Sequence, residues 1–188
     1  MADIISEKGP DLHMTPREMD EAEPIRAAPT ADDGIDFSII ELLFFAYRDF
    51  TSDPDHILAD YDFGRAHHRV LHFVNRNPGL TVAELLDVLQ ITKQSLARVL
   101  KQLIDTGHVV QVQGPRDRRQ RELYPTAKGR SLALELAAPQ SRRIAEALRE
   151  TGPKARETVE GFLKAMVTPE LRGQVDALHG DPRGPMGE

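Results

Sequence analysis

Between residues 93 and 130, nine cations (Lys93, Arg98, Lys101, Arg116, Arg118, Arg119, Arg121, Lys128 and Arg130) stand against three acids (Asp105, Asp117 and Glu122). This gives a local balance of +6 inside a chain whose net charge is −6. A concentrated cationic segment in an acidic chain is the chemistry of a localised anionic partner. The same stretch carries Gln94 and Ser95, whose groups suit base edges in a DNA major groove, with Arg98 suited to guanine or phosphate. Phosphate contacts are expected from Lys93, Lys101 and the helix N-termini that Thr81 and Thr92 would open.

Other chemistry is weakly supported. His68 and His72 lie four apart on one helical face, with His67 adjacent. A metal would need a further ligand, and with no cysteine in the chain that ligand must be another His, Asp or Glu. The plainer reading makes His67 a partly buried core residue and His68 and His72 surface or pocket-lining groups, so no metal and no other cofactor is expected. There is no glycine-rich phosphate loop, no nucleophile elbow and no His-Glu-x-x-His motif, so an enzyme is not expected. The absence of cysteine also removes disulfides, thiolate zinc sites and thiol switches.

These side chains need elements to position them. The chain has 188 residues, 40% hydrophobic and 29% charged, enough for one domain with appendages. No run of about 18 apolar residues occurs and the first residues are polar, so a cytoplasmic chain without membrane contact is expected. Residues 1–34 read as a disordered acidic arm: nine acids oppose three bases over residues 1–33, a balance of −6, with few bulky apolar residues.

From Ile35 the pattern becomes helical, about 36–51, with apolar residues on nearly all sides: a helix buried against both its own domain and a second subunit. A break at Ser52-Asp53-Pro54-Asp55 precedes a helix over 62–76, stopped by Asn77-Pro78-Gly79. Thr81 and Glu84, three apart before an apolar run, form a capping box that opens a short helix to about Val88. Another helix starts at Thr92, with Leu96, Val99, Leu100, Leu103 and Ile104 on the core side and Lys93, Gln94, Arg98 and Lys101 opposite; Gly107 suits its left-handed cap. Two β-prone runs, 108–112 and 121–124, enclose a loop with a basic tip. Thr126 caps a helix toward Glu150 that Pro139 should interrupt or kink, and a last helix covers about 154–167. Residues 169–188 read as a flexible tail.

Two short helices with a cationic second member, followed by a basic hairpin, outline a winged helix-turn-helix within a mainly α fold. The second helix would enter the major groove, and Arg116 or Arg118 at the hairpin tip the minor groove. The run Asp117-Arg118-Arg119-Gln120-Arg121-Glu122-Leu123-Tyr124-Pro125-Thr126-Ala127-Lys128-Gly129 resembles the wing signature of the MarR family of regulators: an aspartate, an arginine two later, then an apolar strand ending in Thr-x-x-Gly. Pro125 stands where the family usually has leucine.

The resemblance covers roughly 36–168. It implies that Asp117 and Arg119 shape the wing, that helices about 36–51 and 139–167 form a homodimer, and that the winged helix-turn-helix spans about 62–126. It further implies a transcriptional regulator, usually a repressor, on a pseudo-palindromic operator with half-sites about 10 base pairs apart. Many such proteins release DNA on binding a small, often aromatic or anionic, effector. Phe45, Tyr47, Tyr61, Arg65, His68 and His72 border the pocket implied for it, although a dimer core is the preferred reading of the aromatics, and Arg65 would pair with Asp60 or Asp62. The alternatives are a winged-helix module that docks proteins without binding DNA, and a metal-gated regulator.

Overall fold

The computed structural model describes residue 28, residues 34–114 and residues 120–179. The expected acidic arm therefore lies almost wholly outside the described residues. So does the wing tip with Arg116, Asp117, Arg118 and Arg119. The elements in chain order are α1 (Phe37–Ser52), α2 (Asp55–Ala59), α3 (Arg65–Arg76), β1 (Leu80–Thr81), α4 (Val82–Leu89), α5 (Lys93–Asp105), β2 (Val109–Gln113), β3 (Arg121–Pro125), α6 (Ala127–Thr151), α7 (Ala155–Met166) and α8 (Pro169–His179). The fold is mainly helical, with a small antiparallel sheet. By its internal contacts the chain divides into Met1–Glu41 and Leu42–Glu188. In the first unit, Asp36 accepts a hydrogen bond from the Ile39 amide at 3.1 Å and so caps the start of α1.

In the second unit α3 is the hub. It packs on α4, α5, α6 and β3, and Val70, Leu71 and Val74 on its inner face are essentially inaccessible. Leu85 of α4, Leu96 and Leu103 of α5, Val109 and Leu123 of the sheet, and Leu132 and Leu136 of α6 complete one continuous core. Burying such side chains stabilises by about 1.5–3 kcal/mol each.

Four expectations need correction. The sheet is a three-stranded one, not a lone hairpin: β1 pairs with β3 through Leu80 opposite Leu123 and Thr81 opposite Glu122, giving the order β1-β3-β2. A two-residue strand has no alternating pattern to read, so it exists through its partner. Asp55, expected to close the break at Ser52-Asp53-Pro54-Asp55, instead opens a single helical turn, α2, whose Leu58 is buried. Pro139, expected to interrupt or kink α6, does not interrupt it: the helix runs unbroken for 25 residues. One lost amide donor is tolerated there because both sides of the proline are held: Leu132, Ala133 and Leu136 are buried before it, and after it Gln140 donates to the Phe50 carbonyl at 3.0 Å while Arg143 grips Asp53. The tail expected from residue 169 begins with helix α8.

Pro125 has no amide to donate at the end of β3, where it sits opposite Val109. The next residue supplies the bond, the Thr126 amide donating to the His108 carbonyl at 3.1 Å.

Candidate nucleic-acid interface

Helices α4 and α5 are each opened by a hydroxyl. Thr81 Oγ1 accepts from the Glu84 amide at 3.2 Å and donates to Glu84 Oε2 at 2.8 Å, and the same carboxylate oxygen accepts from the Thr81 amide at 2.8 Å. The capping box is complete, and the Thr81 hydroxyl hydrogen is committed inside it. Thr92 behaves alike: its oxygen accepts from the Ser95 amide at 3.2 Å and its hydroxyl donates to Ser95 Oγ at 2.9 Å. Ser95 keeps its own hydroxyl hydrogen for an outside acceptor.

Between the two helices Gln90 takes a left-handed conformation (φ 49°), and its side chain donates to the Asp87 carbonyl at 2.6 Å. The turn thus ends α4 abruptly and redirects the chain into α5.

Helix α5 divides cleanly. Leu96, Val99, Leu100 and Leu103 are buried, whereas Lys93, Gln94, Ser95, Arg98 and Lys101 are exposed. Lys101 is paired with Asp105 one turn on, so part of its charge is locally offset. Among the described residues Lys93 and Arg98 form no ion pair. Gln102 anchors the helix from its side, meeting His67 Nε2 at 2.9 Å and donating to the Asp62 carbonyl at 3.2 Å. Asp62 itself is left-handed (φ 55°).

The base of the wing is latched by Thr126, the expected cap of α6, together with His108 and Gly129, whose parts were not read from the sequence. Thr126 Oγ1 donates to the Gly107 carbonyl at 2.7 Å and accepts from the Gly129 amide at 3.0 Å, capping α6. The His108 carbonyl sits so close to Gly129 that a Cβ there would lie 1.9 Å from its oxygen. The final Thr-x-x-Gly of the wing signature is therefore a cap followed by the residue that lets His108, just before strand β2, touch helix α6. His108 is buried, its Nδ1 meeting Thr106 Oγ1 at 2.9 Å and its ring set edge-on to Tyr61 and Phe63. Burial, aided by the nearby Lys128 charge, holds its pKa below the usual histidine value. Beyond the latch, Gly114 donates to the Gln120 carbonyl at 3.1 Å, and the Tyr124 hydroxyl to Glu122 at 2.7 Å.

Of the six residues expected to border an effector pocket, each has its own place in the fold. Phe45 and Tyr47 are exposed on α1, and Tyr61 stacks on Phe63 at 5.9 Å. Arg65 holds Asp55, at 2.8 and 3.2 Å, rather than Asp60 or Asp62, because Asp55 opens α2 directly across from it. His67 is part-buried, its Nδ1 accepting from the Gly64 amide at 3.0 Å and its ring stacked on Phe63. Burial pushes the His68 pKa down to about 4, with the neighbouring His72 adding to the effect, and His72 is also lowered, first by burial and then by Arg76. His72 lines a cavity of about 500 Å³; the other five are not among its walls. Among the described residues no three His, Asp or Glu side chains are grouped to hold a metal, and no helix is long and apolar enough to cross a membrane.

Residues 61–120 match the MarR family. The chain is 53% identical over 139 residues to the HTH-type transcriptional regulator PetP of Rhodobacter capsulatus, a match covering 74% of this chain and 84% of the relative. Among solved structures it resembles a MarR transcriptional regulator from Methanosarcina mazei Go1 (TM-score 0.58, 23% identity, 70% of this chain and 89% of that one). It also resembles the transcriptional repressor CouR bound to a 23-mer DNA duplex (TM-score 0.53, 28% identity, 66% and 89%).

Proposed function

The chain belongs to the MarR family and is a transcriptional regulator, not an enzyme, and from that premise we propose that it binds double-stranded operator DNA sequence-specifically as a homodimer and acts as a repressor. The observation that carries this reading is the two-sided helix α5. Its inner face is buried to 7% exposure or less, while Lys93, Gln94, Ser95 and Arg98 form an exposed cationic and hydrogen-bonding face with no acid paired to Lys93 or Arg98 among the described residues. A helix of this kind fits the major groove, with Gln94, Ser95 and Arg98 at base edges or phosphates and Lys93 and Lys101 on the backbone. Since the Thr81 and Thr92 hydroxyls cap their own helices, backbone amides at these N-termini face phosphate in their place. Arg116 and Arg118 at the wing tip take the minor groove, and Asp117 with Arg119 shapes the wing. The DNA-bound CouR neighbour supports the reading that the chain binds duplex DNA.

The homodimer is supported by apolar surface that one protomer leaves uncovered. Leu42, Phe44 and Tyr47 on α1 are each 62% exposed, and Phe162, Leu163 and Met166 on α7 are about half exposed. Exposed large apolar side chains grouped along a helix mark association. We further take the protein to be cytoplasmic, to need no cofactor for DNA binding, and to be released from DNA by a small effector.

The test is anisotropy of labelled duplex DNA across a salt series with Arg98→Glu. The reading expects at least about a tenfold loss of affinity and a shallower salt dependence, with the circular-dichroism spectrum unchanged. Equal affinity in a folded variant would overturn α5 as the DNA-reading helix, and no binding of duplex DNA by the wild type at any salt would favour a protein-docking module.

A further inference from the structure

Helix α8 is fastened rather than trailing. The Arg172 guanidinium donates to the Lys164, Ala165 and Val167 carbonyls at 3.1, 2.9 and 2.9 Å, filling acceptors left open at the end of α7, and Lys164 pairs with Asp176 at 3.4 Å. So held, α8 closes one side of the cavity of about 500 Å³ whose other side is α3 and α4. That volume falls within the range of small-molecule sites, roughly 300–1,000 Å³.

Its lining is chemically polarised. Phe73, Val88, Val175 and Leu178 supply an apolar body, Arg76 supplies a cation, and no lining residue is acidic. Arg76 forms no ion pair among the described residues. His72 beside it has its pKa lowered, so near neutral pH it offers an uncharged imidazole and leaves Arg76 as the charge of the site.

We propose that this cavity binds an amphipathic monoanion, a carboxylate whose acid group lies on Arg76 and whose hydrocarbon body fills the space between α3, α4 and α8. A guanidinium recognises a carboxylate by paired, charge-assisted hydrogen bonds, and the apolar walls select against ligands that are charged throughout. The place differs from the pocket around Phe45, Tyr47, Tyr61, Arg65, His68 and His72 that the family resemblance implied, sharing only His72 with it. It depends on a helix that lies beyond the family match at residues 61–120. Because α3 packs on α5, occupancy of this seam touches the scaffold of the DNA-reading helix.

The inference deepens the effector part of the proposed function, and it is tested by binding alone, so its failure leaves the DNA-binding reading standing. The experiment is calorimetric titration of the full chain with octanoate and, as a charge-reversed control, octylammonium. Saturable binding of one octanoate per chain is expected, with octylammonium rejected. Arg76→Gln should weaken octanoate about tenfold or more, the loss of a charge-assisted pair. Val175→Phe, which fills the cavity and keeps Arg76, should abolish binding, its melting curve reporting that the fold is intact. No octanoate binding, or binding unaffected in both variants, would overturn the proposal.

Discussion

A methyl group added at Gly129 would lie 1.9 Å from the His108 carbonyl oxygen, well inside any real contact. The neighbour is backbone and cannot swing away, so strand β2 or helix α6 must shift. Gly129→Ala is therefore expected to destabilise by about 1–3 kcal/mol or more, as overpacking does, read as a lower denaturation midpoint. An unchanged midpoint would mean that the latch is looser than its geometry states. His68 gives a second expectation at this scale. Its pKa is about 4 when folded against an unperturbed 6.5, so the unfolded chain binds more protons between those values. The contribution is fully present above about pH 6.5 and is lost as pH falls toward 4. Denaturation midpoints of the wild type should fall across this window. Those of His68→Gln should fall less steeply, and not become flat, because His72 and His108 are lowered too.

At the scale of elements, what could be read in the sequence was what short-range chemistry decides. Helices α4 and α5 were legible because Thr81, Glu84 and Thr92 cap them and because Leu96, Val99, Leu100 and Leu103 repeat at helical steps. Strand β1 was not, since a two-residue strand is defined only by Leu123 and Glu122 across from it. The continuity of α6 through Pro139 and the existence of α8 were hidden for the same reason. Both depend on long-range partners, Asp53 and Phe50 for the one and the α7 carbonyls for the other. The candidate interface was legible as a charged face, but the bond from the Thr92 hydroxyl to Ser95 and the role of His108 required coordinates. Helices α1 and α7 carry an expectation of their own: Phe44→Glu or Phe162→Glu should convert a dimer of twice 21.0 kDa into a 21.0 kDa monomer in sedimentation, because a charge in an apolar interface is left unpaired. A variant that sediments as the wild type would place the interface elsewhere.

For the whole molecule, charge distribution and symmetry act together. The positive balance between residues 93 and 130 sits in a chain that is acidic overall, so on the proposed reading the attraction for DNA is confined to that stretch, and binding should be strongly salt-dependent. A two-fold dimer would present two such surfaces, and the spacing of the two α5 helices would then set the spacing of half-sites. The most direct measurement is selection of bound fragments from sheared genomic DNA by the purified full-length protein over a range of salt, followed by sequencing. The account predicts that fragments retained at higher salt share an inverted repeat with half-sites about 10 base pairs apart. Retention that is sequence-blind and vanishes with salt, or no retention at any salt, would contradict it.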